Sequence, residues 1–206
     1  MSGQIVPAQT RITNPFDSET FIFTHPHDGG ASTRFDVILG AGGSGGGNAI
    51  PHIHPKTDEI FTVRRGRLMV SIDGEEHFVD AGQSATVHAG QAHFFRNAHD
   101  GETEATVTFT NAQQHQRFFI DLARLTAEKP HYFSKNGDPK LLTTALKLNA
   151  YRDHLYIAGP PIALQKFLFA LLSPLAFLLG YRLAVSPLRG AGLRAARKAA
   201  AVRPAS

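Results

Sequence analysis

The sequence predicts a mainly β domain followed by a helical C-terminal extension, and three observations carry that reading. From about residue 19 to 111, short β-like runs alternate with Gly, Asp and Asn, spaced too closely for helices to lie between them. After residue 111 the apolar period lengthens to that of a helix, about 3.6 residues. All 206 residues lack Cys, so the core is closed by packing alone and any metal site is built from His and carboxylates.

In chain order, residues 1–18 read as a lead-in. MSGQIVPAQTRITNP has no apolar stretch of signal-peptide length, which points to a cytoplasmic protein. Runs at 19–24, 34–39, 59–63, 67–72, 76–79, 84–87, 93–96 and 104–110 read as strands, several with the period-two alternation of a half-buried sheet. Asp73-Gly74 is a two-residue hairpin signal, because a type I′ turn needs positive φ at both positions. Together these make 19–111 a β-sandwich or small barrel. Residues 40–45, GAGGSG, spell G-x-G-x-x-G after a strand, but the segment Asn48-Ala-Ile-Pro51-His that follows cannot open the helix that a dinucleotide site requires. These glycines read as a loop.

Residues 112–158 read as a helical extension. Over 113–126, Phe118, Phe119, Leu122 and Leu125 fall on one face, and 141–151 forms a weaker second helix. Residues 159–186 contain a third, strongly apolar helix over 162–185, and 187–206 read as a disordered basic tail. Up to Asp153 there are 14 Lys plus Arg against 17 acids; beyond it there are seven basic residues and no acid. The net charge of +4 therefore belongs to the tail. The uncharged stretch 167–181 is roughly 22 Å long at about 1.5 Å per residue, short of a hydrocarbon core of about 30 Å. Lys166 and Arg182 flank it, and Pro174 interrupts it. Two readings of this helix stand, contact with the cytoplasmic face of a membrane through 162–185 or burial at a dimer interface, and a homodimer paired through its sheet edges is expected with either. Nucleic-acid binding is set aside, since no aromatics are interleaved with the basic residues.

The chemistry concentrates at His52-Ile53-His54. On an extended segment, residues i and i+2 share a face about 6.6 Å apart, so two imidazoles can converge on one ion. Pro51 and Pro55 favour that extended backbone. Outward from this pair the spacing runs Gly46, five residues, His52, one, His54, four, Glu59, six, Gly66. A second series runs Gly82, five residues, His88, one, Gly90, two, His93, three, Asn97. These resemble the two motifs of the cupin superfamily at every position but one, where His88 stands for the family's Pro. The resemblance covers about residues 33 to 110 and is closest to the small quercetin-dioxygenase-like barrels.

That resemblance implies a double-stranded β-helix, the cupin jelly-roll barrel, with one divalent metal ion (Fe, Mn, Ni or Zn) held by His52, His54, Glu59 and His93. Strand parity alone does not bring Glu59 to the two His; the 55–58 turn has to reset the direction. Residues sharing parity with Glu59 and His93 suggest a pocket of Phe61, Val63, Phe95 and Asn97, with His88 as a turn residue near its mouth. His25, His27, His77, His99, His115, His131 and His154 fit no ligand spacing and read as surface or ordinary packed residues. No acid/base pair identifies catalytic residues. Two functions follow: a metal-dependent dioxygenase or isomerase acting on a small organic molecule, and a non-catalytic ligand- or metal-binding module tethered to a membrane by its C-terminal helix.

Overall fold

The computed structural model describes residues 4–27, 31–43, 50–111, 113–190 and 194. Its strands are β1 (Thr10–Thr13), β2 (Glu19–Phe23), β3 (Ser32–Leu39), β4 (His52–Ile53), β5 (Glu59–Arg65), β6 (Arg67–Ile72), β7 (Glu75–Asp80), β8 (Ser84–Val87), β9 (Ala92–Asn97), β10 (Thr103–Thr110) and β11 (Tyr156–Ile157). The helices are α1 (His115–Glu128), α2 (Leu141–Ala150) and α3 (Ile162–Leu178). Asp73 and Gly74 both have positive φ, as the β6–β7 hairpin turn requires.

The strands form two antiparallel sheets, ordered β1-β2-β3-β10-β5-β8 and β11-β4-β9-β6-β7. Four strands of each, β3-β10-β5-β8 and β4-β9-β6-β7, make the jelly-roll of the double-stranded β-helix. β1 and β2 extend one sheet, and β11 extends the other. Inward-facing Phe21, Phe35, Phe61, Phe95, Val107 and Phe109 fill the space between the sheets, each at most 3% exposed. β1 lies in the segment read as a lead-in and β11 in the segment read as helical. β1, TRIT, holds a single apolar residue and β11 is only two residues long, so neither shows period-two alternation, and only partner strands define them.

Asn97 fastens the loops at one end of the jelly-roll. Its Nδ2 donates to the carbonyls of Leu39, Gly40 and Gly101, and its Oδ1 accepts from Thr103 Oγ1 and the His99 amide. Gly66, at φ +80°, packs against the next loop so closely that a Cβ would lie 2.8 Å from the Glu102 carbonyl oxygen.

The helical extension is packed onto the sheets. Phe119 of α1 sits 4.8 Å from Phe35 and 5.2 Å from Phe109, ring centre to ring centre. Asp121 lies on the same apolar stripe and is fully buried. Its Oδ2 accepts from Lys147 Nζ of α2 at 2.8 Å, and its Oδ1 accepts from the Val185 amide at 2.9 Å. Lys147 also donates to the Phe118 carbonyl at 2.7 Å, and its ammonium lies 3.9 Å over the Phe118 ring. One buried ion pair thus joins α1, α2 and the chain that follows α3.

The sequence expectation of one helix over 162–185 is corrected. α3 ends at Leu178, and Gly180, at φ +87°, turns the chain. Residues 181–188 then run back along α1, where the Leu188 amide donates to Gln114 Oε1 and Tyr151 Oη donates to the Val185 carbonyl. Among the described residues, no helix is long and apolar enough to cross a membrane. Residues 191–193 and 195–206 of the basic tail lie outside the described residues, as do 44–49 of the glycine loop.

Removing one partner of a buried ion pair strands the other charge, which costs about 3–5 kcal/mol. Asp121→Ala is therefore expected to lower unfolding stability by about that amount, and Asp121→Leu combined with Lys147→Met to recover most of it. Urea unfolding of the two variants checks this; equal losses in both would show that the pair carries no coupling.

Candidate metal centre

β4 and β9 are paired with His52 directly opposite His93. His54 follows β4, and the Pro55-Lys56 turn then carries the chain from the second sheet to the first, where Glu59 opens β5. The turn is tied down by Asp58, whose Oδ1 accepts from the Ala89 amide and whose own amide donates to Thr110 Oγ1. This change of sheet is how Glu59 reaches the histidines despite its odd spacing. His52, His54, Glu59 and His93 are all buried, and one ligand atom from each lies within 4.8 Å of every other.

The imidazoles are held in one tautomer. Nδ1 of His52 donates to the Ile50 carbonyl at 2.8 Å, Nδ1 of His93 donates to the Gln91 carbonyl at 3.2 Å, and Nδ1 of His54 donates to the carbonyl of His154, a hundred residues away. With Nδ1 protonated, each neutral ring carries its free lone pair on Nε2. Nε2 of His93 lies 2.7 Å and Nε2 of His54 3.3 Å from the same Glu59 oxygen, and His54 Nε2 is buried with no hydrogen-bond partner. Lone pairs this close repel unless a proton or a cation lies among them. Three Nε2 atoms and a carboxylate with their other positions fixed by main-chain carbonyls are a donor set that fits a divalent ion.

Electrostatics agree with that fit. Burial and the neighbouring His93 and His54 push His52 down to about 3, so it stays neutral and able to ligate at ordinary pH. Burial alone would raise Glu59, but the His54 and His93 imidazoles outweigh it and hold the carboxyl below the usual carboxylate range. Burial would likewise lower His93, but the Glu59 carboxylate outweighs it and raises the group, so the site draws positive charge, a proton or a cation, to His93 Nε2.

The residues read as a pocket lie elsewhere. Phe61 and Phe95 are in ring contact at 5.0 Å within the core, Val63 is buried beside them, and Asn97 is committed to its loop carbonyls. His88 is an exposed turn residue 3.7 Å from Asp58. Gly46 lies outside the described residues.

A cavity of about 110 Å³ opens instead between β4, β11, α1 and α2. His52 and Ile50 form one wall; Phe118, Leu122, Leu125, Phe133, Leu148, Leu155 and Ile157 form most of the rest, with Thr143, Thr144 and Lys147 as its polar groups. His52 thus belongs to both the donor cluster and the cavity wall. Sequence reasoning read 113–126 only as a helix with one apolar face and missed this role. The available signal was Asp121, an acid on the same helical stripe as Phe118 and Leu125, which called for a buried partner.

His115 and His154 are both packed. His115 is fully buried and stacks on Phe109 at 4.6 Å. His154 accepts from the Gln114 amide at Nε2, and burial pushes it down to about 4. Its carbonyl accepts from both His54 Nδ1 and His115 Nε2. The helical extension therefore orients one of the four donors.

Residues 36–109 match the model of the family described as Cupin domain. The chain is similar to oxalate oxidase GF-3.8 of Triticum aestivum, 35% identical over 115 residues that cover 51% of this chain and 47% of that protein. It is also similar to quercetin 2,3-dioxygenase of Bacillus subtilis (strain 168), 30% identical over 102 residues covering 49% of this chain and 30% of the relative. The chain thus spans less than half the length of either relative. Among solved structures, a sugar phosphate isomerase of Silicibacter pomeroyi from the cupin superfamily aligns over 53% of this chain and 68% of its own, at 23% identity and a TM-score of 0.40.

An ion that binds the folded but not the unfolded chain stabilises it by about 2.7 kcal/mol at a hundredfold excess over its Kd. The wild type loaded with one divalent metal is expected to lose stability of that order on chelation, while His52→Ala/His54→Ala is expected to be insensitive to chelator. Elemental analysis beside thermal unfolding checks it; a wild type that takes up no metal and ignores the chelator would reduce the cluster to scaffold.

Proposed function

We propose, from the premise that residues 36–109 are a cupin domain, that this protein acts on a small organic molecule at a divalent metal held by His52, His54, Glu59 and His93, in the manner of an oxygenase or isomerase. The observation that carries this reading is the cavity: it is mostly apolar, it reaches His52, and its far wall is built by the helical extension. When bound, the metal supplies Lewis acidity, or one-electron chemistry if it is Fe, Mn or Ni.

The protein's own residues do the rest. Main-chain carbonyls of Ile50, Gln91 and His154 keep three Nε2 lone pairs facing inward, and Glu59 supplies the negative charge that offsets the cation. The apolar walls exclude water. At about 110 Å³ the cavity approaches the volume, about 150 Å³, of an apolar cavity known to admit benzene, so a ligand of roughly one ring fits. The hydroxyls of Thr143 and Thr144 donate to the Tyr132 and Pro139 carbonyls, which leaves their lone pairs to accept from a ligand. The match to an oxalate oxidase and a quercetin dioxygenase supports oxygen chemistry over simple storage. A second reading, a non-catalytic ligand-binding module, is favoured by one observation: no general acid or base lines the cavity besides His52 and Lys147, and both are committed to other contacts.

The experiment loads the full chain with Fe(II), Mn(II), Ni(II) or Zn(II) and follows O2 uptake and product formation across small aromatic and hydroxylated substrates. Turnover with one of the metals is expected, and Leu122→Trp, which fills the cavity, is expected to retain the metal and lose about tenfold or more of kcat/KM. A metal-loaded protein that binds such molecules and converts none would establish the binding module instead.

A further inference from the structure

α3 inverts the usual pattern of a surface helix. Each of its ten exposed residues is Ala, Leu, Phe or Pro. Phe167 is 65% exposed, Leu171 64% and Leu178 82%. Its few polar residues face inward or are paired. Gln165 is buried, donating to the carbonyls of Ile157 and Pro160 and accepting from the Ile157 amide, while Lys166 is ion-paired with Asp153 at 2.7 Å. Ser173 is half-buried. A soluble helix leaves its polar side to water; this one leaves none.

Both ends of α3 are fastened to the folded body. Gln165 and Lys166 hold the N-terminal end. At the C-terminal end Tyr132 Oη donates to the Gly180 carbonyl and accepts from the Arg182 amide, and the chain then returns along α1. A helix tied at both ends to the same body cannot thread a bilayer, but its outer face can be laid on one.

Charge decides between the occupants of this face. Beyond Asp153 the chain carries seven basic residues and no acid. Arg182 closes the C-terminal end of α3, donating to the Phe177 and Tyr181 carbonyls with its guanidinium 3.7 Å over the Phe177 ring, and Arg189 and Arg194 follow. A second copy of α3 would cover the apolar face but bring no counter-charge, since neither α3 nor the chain after it holds an acid; an anionic surface would cover the face and neutralise the cations together. We propose that α3 lies in the plane of an anionic lipid surface, with Leu164, Phe167, Leu171, Leu175 and Leu178 immersed and the flanking cations at headgroup level. This does not depend on the reading of the metal centre. It does link the surface to that centre, because Gln165 grips β11, which pairs with the strand carrying His52.

The test is co-sedimentation of the full chain with phosphatidylcholine vesicles, with and without phosphatidylglycerol, beside size-exclusion light scattering. The wild type is expected to sediment with the anionic vesicles, with partitioning at least about tenfold weaker on the neutral ones. Phe167→Asp/Leu171→Asp is expected to stay in the supernatant while keeping wild-type circular dichroism and metal content. A wild type that sediments with neither vesicle, or equally with both, overturns the proposal, as does a double variant that still sediments. A dimer that the double variant converts to monomer, without vesicle binding, would assign the face to a second copy.

Discussion

Three imidazole lone pairs and a carboxylate, all buried and within a few ångströms of one another, are the constraint around which this molecule is arranged. Such a group is unfavourable by itself, since each donor loses water and faces other acceptors. It persists because the opposite side of every ring is fixed by a main-chain carbonyl. Two of those carbonyls, from Ile50 and Gln91, are local, two residues before the histidines they hold. The third, from His154, comes from a hundred residues away in the helical extension, so one donor is oriented only where the extension docks on the jelly-roll.

That long-range contact is supported by the packing around it. β11 pairs with β4 and closes the sheet edge next to His52. Phe109 and His115 stack behind His54, and His115 shares the His154 carbonyl. Deeper in the extension, the Asp121–Lys147 pair ties α1 to α2 and to the returning chain near Val185. The same helices that orient a donor also form the wall of the cavity reaching His52, so the donor set and the ligand space are set by one packing arrangement. α3 departs from this logic: it buries little and turns its apolar face outward, with only Gln165, Phe169 and Ala176 inside.

The donor residues were legible in the sequence because their spacing is local. His52-x-His54 shares a strand face by period alone, and Glu59 and His93 follow from the resemblance to the cupin motifs. Most of the strands were legible for a similar reason, since runs such as β3 and β10 carry enough apolar residues to show their alternation. β1 and β11 were not legible, because one has a single apolar residue and the other only two residues, so each is defined by what it pairs with. The pocket reading from strand parity pointed to Phe61, Val63 and Phe95, whose side chains fill the core. Parity reports which side of a sheet a residue faces, and says nothing of whether that side is already full.

The sequence by itself determined the class of fold, the donor types, the absence of thiol chemistry and the charge asymmetry after Asp153, all of which are properties of residue identity and short spacing. Only the tertiary structure decided that His154 orients His54 across a hundred residues, that the extension and not the barrel interior walls the cavity beside His52, and that the apolar segment after Pro161 ends at Leu178 and folds back. These are contacts between residues far apart in the chain. They are set by which surfaces can be buried together, and no local period in the sequence records that choice.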